Sequence, residues 1–458
     1  MFYERESENS RFIDLLTDRN LRDSVHLSFM LLRPASDRVR IQVQRLTGRG
    51  LQSDAVLYGL AAAFSIVFAL TTDQPAQWQW GYMAVIPYAF VALLALVLSR
   101  FRSTNRFRTR IALAFLVLAG AVLAPLILES RWRHLDHNNA DAQPEVSVIE
   151  RSAQLVQEGK SPYKTYVTHG RVVDATKGIP TYESFFPYFP LMSIFGLPSV
   201  ETHDSHGLTD ARIVMSTVTL LLSAMALALM RAPPEKRLRV AQVLLLLPTG
   251  ALFLATGGDD MPIIALMLLA VVFMQRRAAW STGITIGIAA AMKLTAWPFA
   301  LGAMLVSRDK NGRPAWPHVL IASAVVVGVT ATPYALKAPV AFISNVFSFP
   351  LGISGVSSPA ASALPGHILT TWWPVLRHVI LPAVFVVGGY FAARYVKRSW
   401  PLSLDAMLRF LSVGSLVVIC AATATRVGYI IYPIDFAVWA WALKVEAPVA
   451  AEPVLNAA

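Results

Sequence analysis

Ile111-Ala-Leu-Ala-Phe-Leu-Val-Leu-Ala-Gly-Ala-Val-Leu-Ala-Pro-Leu-Ile-Leu128 carries no charge, and within a few residues the chain reads His134-Leu-Asp-His-Asn-Asn-Ala-Asp-Ala-Gln-Pro-Glu-Val146. A bilayer's hydrocarbon core takes about 20 residues of helix, so the first run is a membrane span and the second is what it delivers to the water. Asp136, Asp141, Glu145 and Glu150 crowd into that polar island, with His134 and His137 beside them. Carboxylates at the mouth of a membrane bundle are where chemistry on a hydroxyl group can be housed.

Outward from this point the same pattern repeats. The 458 residues are 55% hydrophobic and only 15% charged, and the mean hydropathy is +0.51. A soluble domain carries more charge. Backbone amides in lipid must pair internally, which leaves helices or closed barrels, and no alternating barrel pattern is present. The expected class is therefore an all-α polytopic membrane protein, a bundle of roughly 10–12 transmembrane helices with a large loop carrying surface helices. The net charge of +12 is first an orientation signal, and no nucleic-acid partner is expected. Cys420 is the single cysteine, which excludes an internal disulfide and a multi-cysteine metal site.

Arginines 33, 38, 40, 45 and 49 precede the first span, and a second basic cluster runs from Arg100 to Arg110. By the positive-inside rule, residues 1–53 are a cytoplasmic basic segment, 54–445 the transmembrane domain, and 446–458 a disordered cytoplasmic tail. A mixed stretch from His26 to Leu32 reads as lying on the membrane surface. The loop 130–210 then lies outside, and the chain is placed in the plasma (inner) membrane with both termini cytoplasmic. Within that loop, Val146–Glu158 has helical apolar spacing, with Gly159 as its stop. Tyr182 to Met192, aromatic and broken by prolines, reads as an interfacial or re-entrant piece. Gly283–Val306 is one apolar stretch interrupted by Lys293 and Pro298, and reads as two short helices meeting at the outer side.

Candidate functional residues follow from position. Asp141 suits a general base, with Asp136 and Glu145 as neighbours able to take or assist that role. Lys293 lies between Met292 and Leu294. An intramembrane cation marks an anionic ligand or a partner acid, and snorkelling to headgroups is the competing reading. Arg426 serves either as a phosphate grip or as an interfacial anchor. Asp259 and Asp260 follow Gly257-Gly258; a helix N-cap explains one of them, and a pair facing a cavity is the alternative. His367 is a possible contact for substrate, or simply a polar loop residue. His134, Asp136 and His137 lack ligand spacing, so no metal is expected. No Walker loop, nucleophile elbow or zinc helix occurs, so ATP-driven transport is not expected.

Asn139-Ala-Asp-Ala-Gln-Pro-Glu-Val146, with Gly159-Lys-Ser-Pro-Tyr163 behind it, resembles the first outer loop of the GT-C membrane glycosyltransferases. More narrowly it resembles glycosyltransferase family 87, the polyprenyl-phosphate-mannose-dependent α-mannosyltransferases. Gly257-Gly-Asp-Asp-Met-Pro262, Gly287-Ile-Ala-Ala-Ala-Met-Lys293 with Trp297-Pro298, Gly428-Tyr429 and Tyr432-Pro433 extend the likeness over most of residues 110–445. The acidic loop follows the third span here, whereas the GT-C pattern usually has it after the first; spans one and two read as an N-terminal addition. Pro144-Glu145 also stands where relatives are more aromatic.

The resemblance implies a GT-C-like bundle that moves a sugar, mannose by family, from a polyprenyl-phosphate donor to a glycolipid or cell-envelope glycan with inversion, on the extracytoplasmic side. It implies Asp141 as base, Lys293 and Arg426 at the donor phosphate, and Asp136, Glu145, Asp259, Asp260 and His367 as possible helpers. It implies no cofactor; the partners are the lipid-linked donor, the acceptor and the bilayer. The rival is a secondary transporter or flippase that uses the interrupted segment Gly283–Val306 as its substrate site.

Overall fold

The computed structural model describes residues 50–101, 106–201, 207–357 and 359–444. Most of the expected basic N-terminal segment, the stretch His26–Leu32 and the tail 446–458 lie outside the described residues. Among the described residues, seven helices are long and apolar enough to cross a membrane: α1 (Leu51–Thr71), α2 (Pro75–Leu98), α3 (Arg106–Asp136), α5 (Ala211–Leu229), α11 (Trp316–Lys337), α12 (Pro374–Arg398) and α13 (Leu404–Ala421). An eighth passage is bent by 44°, α6 (Pro234–Leu246) followed by α7 (Pro248–Thr256). Pro248 causes the bend, since it has no N–H to donate. Gly250 lets the two pieces meet: a Cβ there would stand 1.8 Å from the Leu244 carbonyl oxygen.

The remaining passages are short: α8 (Asp260–Gln275), α9 (Ala279–Ala290), α10 (Trp297–Val306) and α14 (Ile431–Leu443). Contacts sort their ends onto two poles. At one pole the Arg231 main chain exchanges two hydrogen bonds with the Gln275 side-chain amide, Arg276 donates to the Leu229 carbonyl, and Lys236 reaches the Lys444 carbonyl. At the other, Lys293 meets Asp259, and Glu145 meets Arg426. Against the expected 10–12 spans, the described residues give seven helices able to cross, or eight with the bent pair, and the other apolar helices are shorter. At about 1.5 Å per residue, α9 stops well short of a core about 30 Å thick. Lys293, three residues beyond its end, is buried.

Two buried ionic clamps hold the long helices in register. At the basic pole, Asp54 of α1 accepts from Arg110 of α3 at 2.5 Å and lies 3.2 Å from Arg239 of α6. Gln242 adds bonds to Asp54 and to Tyr58. At the opposite pole, Arg212 of α5 is fully buried and pairs with Asp210 and Glu129, and Arg133 joins Asp210 to Glu150. Buried charges survive when they are paired and hydrogen-bonded in this way.

The large loop contains α4 (Pro144–Gln157). Its Val146, Ile149 and Ala153 are buried in protein, so its apolar face packs inward. Gly159 ends it in the left-handed region, φ 69°. One element departs from an all-helical loop: β1 (Tyr166–Thr168) pairs antiparallel with β2 (Arg171–Val173). His169 and Gly170 both have positive φ, 47° and 72°, as the two-residue turn of a right-twisted hairpin requires. Asn345 pins this region, donating to the Thr165 carbonyl at 2.7 Å and accepting from the Phe186 amide at 2.8 Å.

Candidate active site

Lys293 stands where α9 breaks before α10. It is 9% exposed, and its ammonium lies 2.6 Å from Asp259 and 2.7 Å from Asp260. Asp259 occupies the N-cap position of α8 but caps no amide with its side chain; the carboxylate is taken by Lys293 instead. The N-cap reading of these acids therefore gives way to an ion-pair role. Tyr432 donates to Asp260 at 2.5 Å and shares a hydrogen bond with Thr295 at 2.8 Å. The rings of Tyr188 and Tyr429 lie 5.6 and 5.8 Å from the Lys293 ammonium. The Phe189 amide donates to the Met292 carbonyl at 3.0 Å, tying this loop to the helix break. Tyr163, from the Ser-Pro-Tyr turn, donates to the Tyr188 carbonyl at 2.9 Å.

Arg426 lies beside this cluster. Tyr429 sits in the field of both Lys293 and Arg426, and Tyr188 in that of Asp259, Glu145 and Arg426. One guanidinium nitrogen of Arg426 donates to Glu145. Glu145 raises the Arg426 pKa above its ordinary value, outweighing burial, so the charge is permanent. Among the described residues no other acceptor takes the rest of its five-donor fork, and the side chain is 31% exposed. Burial pushes the Tyr188 hydroxyl pKa up, which keeps it a neutral hydrogen-bonding group.

The loop carrying Arg426 is positioned from elsewhere. Thr425 pairs with Ala360 and Ser362 through main-chain bonds of 2.8 and 3.0 Å. His367 Nδ1 is 2.9 Å from the Thr423 carbonyl. The structure gives His367 a holding contact on this loop. Gly428 permits close approach to α7, since a Cβ there would stand 2.6 Å from the Phe253 ring.

Asp141 sits in the turn before α4 and is 4% exposed. Gln79 of α2 donates to its Oδ1 at 3.0 Å, and Arg212 donates to its main-chain carbonyl at 2.7 Å. Among the described residues Oδ2 has no protein partner. A cavity of about 520 Å³ opens here, with aromatic walls from Trp78, Tyr82 and Trp132 and polar groups from Gln79, Asp136 and Asp141. Asp136 and Asp141 thus share one cavity, while Glu145, Asp259, Asp260, Lys293 and Arg426 form a second group at the same pole. Gln143 joins the two regions by donating to the Thr256 side chain at 2.7 Å, just ahead of Asp259.

A family model matches residues 188–450, more than half of the chain, and its description is glycosyltransferase family 87. The chain belongs to glycosyltransferase family 87. It is therefore a glycosyltransferase of multi-pass membrane architecture. No curated protein matches it. The family 87 segment contains Tyr188, Asp259, Asp260, Lys293, His367, Arg426, Tyr429 and Tyr432; Asp136, Asp141 and Glu145 precede it.

Sequence reasoning left out Gln79, which orients Asp141, and the clamp of Glu129, Asp210 and Arg212 beneath it. The Asp-Ala-Arg triplet at the start of α5 was the available signal: Asp210 accepts from the Arg212 amide as an N-cap. No signal marked Gln79, whose role depends on where α2 lies against the loop. Among the described residues no group of three or more His, Cys, Asp and Glu side chains is arranged to hold a metal ion.

Proposed function

We propose that this family 87 protein transfers a sugar, mannose in our reading, from a polyprenyl-phosphate donor to a hydroxyl of a glycolipid or cell-envelope glycan, on the extracytoplasmic side and with inversion. The observation that carries the proposal is Arg426: permanently charged, held by one bond to Glu145, and with the remainder of its fork free to grip a phosphate on two oxygens. In the reaction the acceptor hydroxyl gives its proton to Asp141 Oδ2 as its oxygen bonds to the anomeric carbon. The bond from that carbon to the phosphate oxygen breaks, and polyprenyl phosphate leaves with the electron pair. Arg426 offsets the charge gathering on the phosphate, and such preorganised electrostatics is usually the largest catalytic contribution. Lys293 is committed to Asp259 and Asp260, so its part is to hold those acids at the helix break beside the rings of Tyr188 and Tyr429, and the phosphate grip falls to Arg426.

Orientation rests on charge. Arg231, Arg276, Arg277, Lys310 and Arg313 gather at the pole away from the site, which supports a cytoplasmic assignment for that pole. The transport reading requires the break in 283–306 as a substrate cavity. The break is occupied by the Lys293 ion pairs, which favours the transferase.

The test is sugar transfer from synthetic polyprenyl phosphomannose to membrane glycolipids by purified wild type and Asp141→Asn at matched expression. Transfer by wild type alone is the expected result. Equal transfer by both removes Asp141 as base and moves the role to Asp136 or Glu145. No transfer by wild type with any of several polyprenyl phosphosugars overturns the donor assignment.

A further inference from the structure

The two regions at the site pole differ in chemistry. The Arg426 region holds two cations, Arg426 and Lys293, among the acids Glu145, Asp259 and Asp260. The Asp141 cavity is lined by three large aromatic side chains, two amides and two carboxylates, with no Lys or Arg in its lining. An anionic phosphate is disfavoured there by Asp136 and Asp141. A neutral polyol fits: the C–H face of a pyranose lies flat on an aromatic ring, while its hydroxyls donate to carboxylate and amide oxygens. Gln79 Oε1 is buried without a partner while Nε2 is held by Asp141, so the amide has an acceptor still to satisfy.

The cavity also has a definite address. Its walls come from α2, α3 and the turn after α3, all ahead of the matched residues 188–450. Tyr82 is 53% exposed and begins a stripe on α2 that continues through Ile86, Phe90 and Leu93, all outward-facing. One side of the cavity therefore adjoins the surface that α2 presents to lipid.

We propose that this cavity is the acceptor subsite: the terminal sugar of a lipid-anchored glycan stacks against Trp78, Tyr82 and Trp132, its reacting hydroxyl faces Asp141 Oδ2, and its lipid lies along α2. The assignment rests on Asp141 acting as the base. Acceptor choice is thereby made by the N-terminal helices and donor choice by the later ones. Asp136 accepts from a second hydroxyl and is a specificity residue.

The test uses the full chain in lipid nanodiscs. Octyl α-mannoside, octyl β-glucoside, their methyl counterparts and tetramethylammonium are titrated and followed by saturation-transfer NMR. Wild type is expected to bind an octyl glycoside more tightly than the methyl form. Trp132→Ala and Trp78→Ala should each weaken it by about tenfold, with Trp132→Phe and Trp78→Phe retaining most of the affinity. In the transfer assay the same alanine variants should raise the acceptor KM and leave the donor KM in place. Binding of tetramethylammonium in preference to glycosides, or no glycoside binding to wild type, overturns the subsite. So does a rise in donor KM equal to that for acceptor. If Asp141→Asn still transfers while the tryptophan variants lose glycoside, the base assignment fails and the sugar site stands. If Asp141→Asn is dead while the tryptophan variants keep the wild-type acceptor KM, the base assignment stands and the subsite fails.

Discussion

Removing Lys293 is the sharpest test of how the site is held. Lys293→Met keeps the length and volume of the stem and deletes the charge between Asp259 and Asp260. At the observed separations of 2.6 and 2.7 Å, an effective dielectric of about 20 gives each contact roughly 6 kcal/mol of gross attraction. Desolvation of three buried groups cancels most of that. The measured cost of breaking a buried pair by deleting one partner is about 3–5 kcal/mol, because it leaves an uncompensated charge inside. Here two carboxylates are left side by side, so the upper part of that range is expected. The assay is equilibrium unfolding of the purified chain in mixed micelles by SDS titration, with Lys293→Met compared against Lys293→Met/Asp259→Asn/Asp260→Asn. The triple variant removes all three charges and should recover most of the loss. A single variant within about 1 kcal/mol of wild type would show that the ammonium is not load-sharing, against the value expected for a broken buried pair. A triple variant as unstable as the single one would show that shape, not charge, is what Lys293 supplies.

Three further outcomes follow from the same structure. Arg426→Lys keeps the charge and the reach to Glu145 but loses the planar fork; donor kcat/KM should fall about 10–100-fold, the size of one charge-assisted hydrogen bond, with acceptor KM unchanged. Gly257 has φ 96°, and a Cβ there would stand 2.3 Å from Val146 Cγ2; Gly257→Ala should destabilise by more than about 2 kcal/mol, whereas Gly159→Ala, at φ 69° with open space around it, should cost only the backbone component of about 1 kcal/mol, both read by the same unfolding titration. His367→Ala releases the Thr423 carbonyl and should lower donor kcat/KM several-fold by loosening the Arg426 loop, with octyl glycoside binding unaffected; loss of glycoside binding would contradict a role confined to that loop.

The chain's own order already carried the all-α polytopic class and the run 111–128 that ends at the acidic island. These depend on local quantities, the length of apolar runs and the placement of charges beside them, and lipid enforces them wherever they occur. The acidic island and the break at Lys293 were visible for the same reason. The 44° bend at Pro248 lies inside one apolar run, 240–254, that reads as a single span, and only the structure shows it.

Pairing was decided by tertiary structure. Arg110 and Arg239 look like members of solvated basic clusters, yet both are buried against Asp54. Asp259 stands at an N-cap position and spends its carboxylate on Lys293. Arg426 meets Glu145 across 281 residues of sequence, and Asp141 is oriented by Gln79 across 62. A charge finds its partner through the packing of whole helices, which bring distant loops to one pole. Local sequence carries the charge and the helix but not the packing, so it offers candidate residues and leaves their contacts, and residues such as Gln79 that matter only through contact, open.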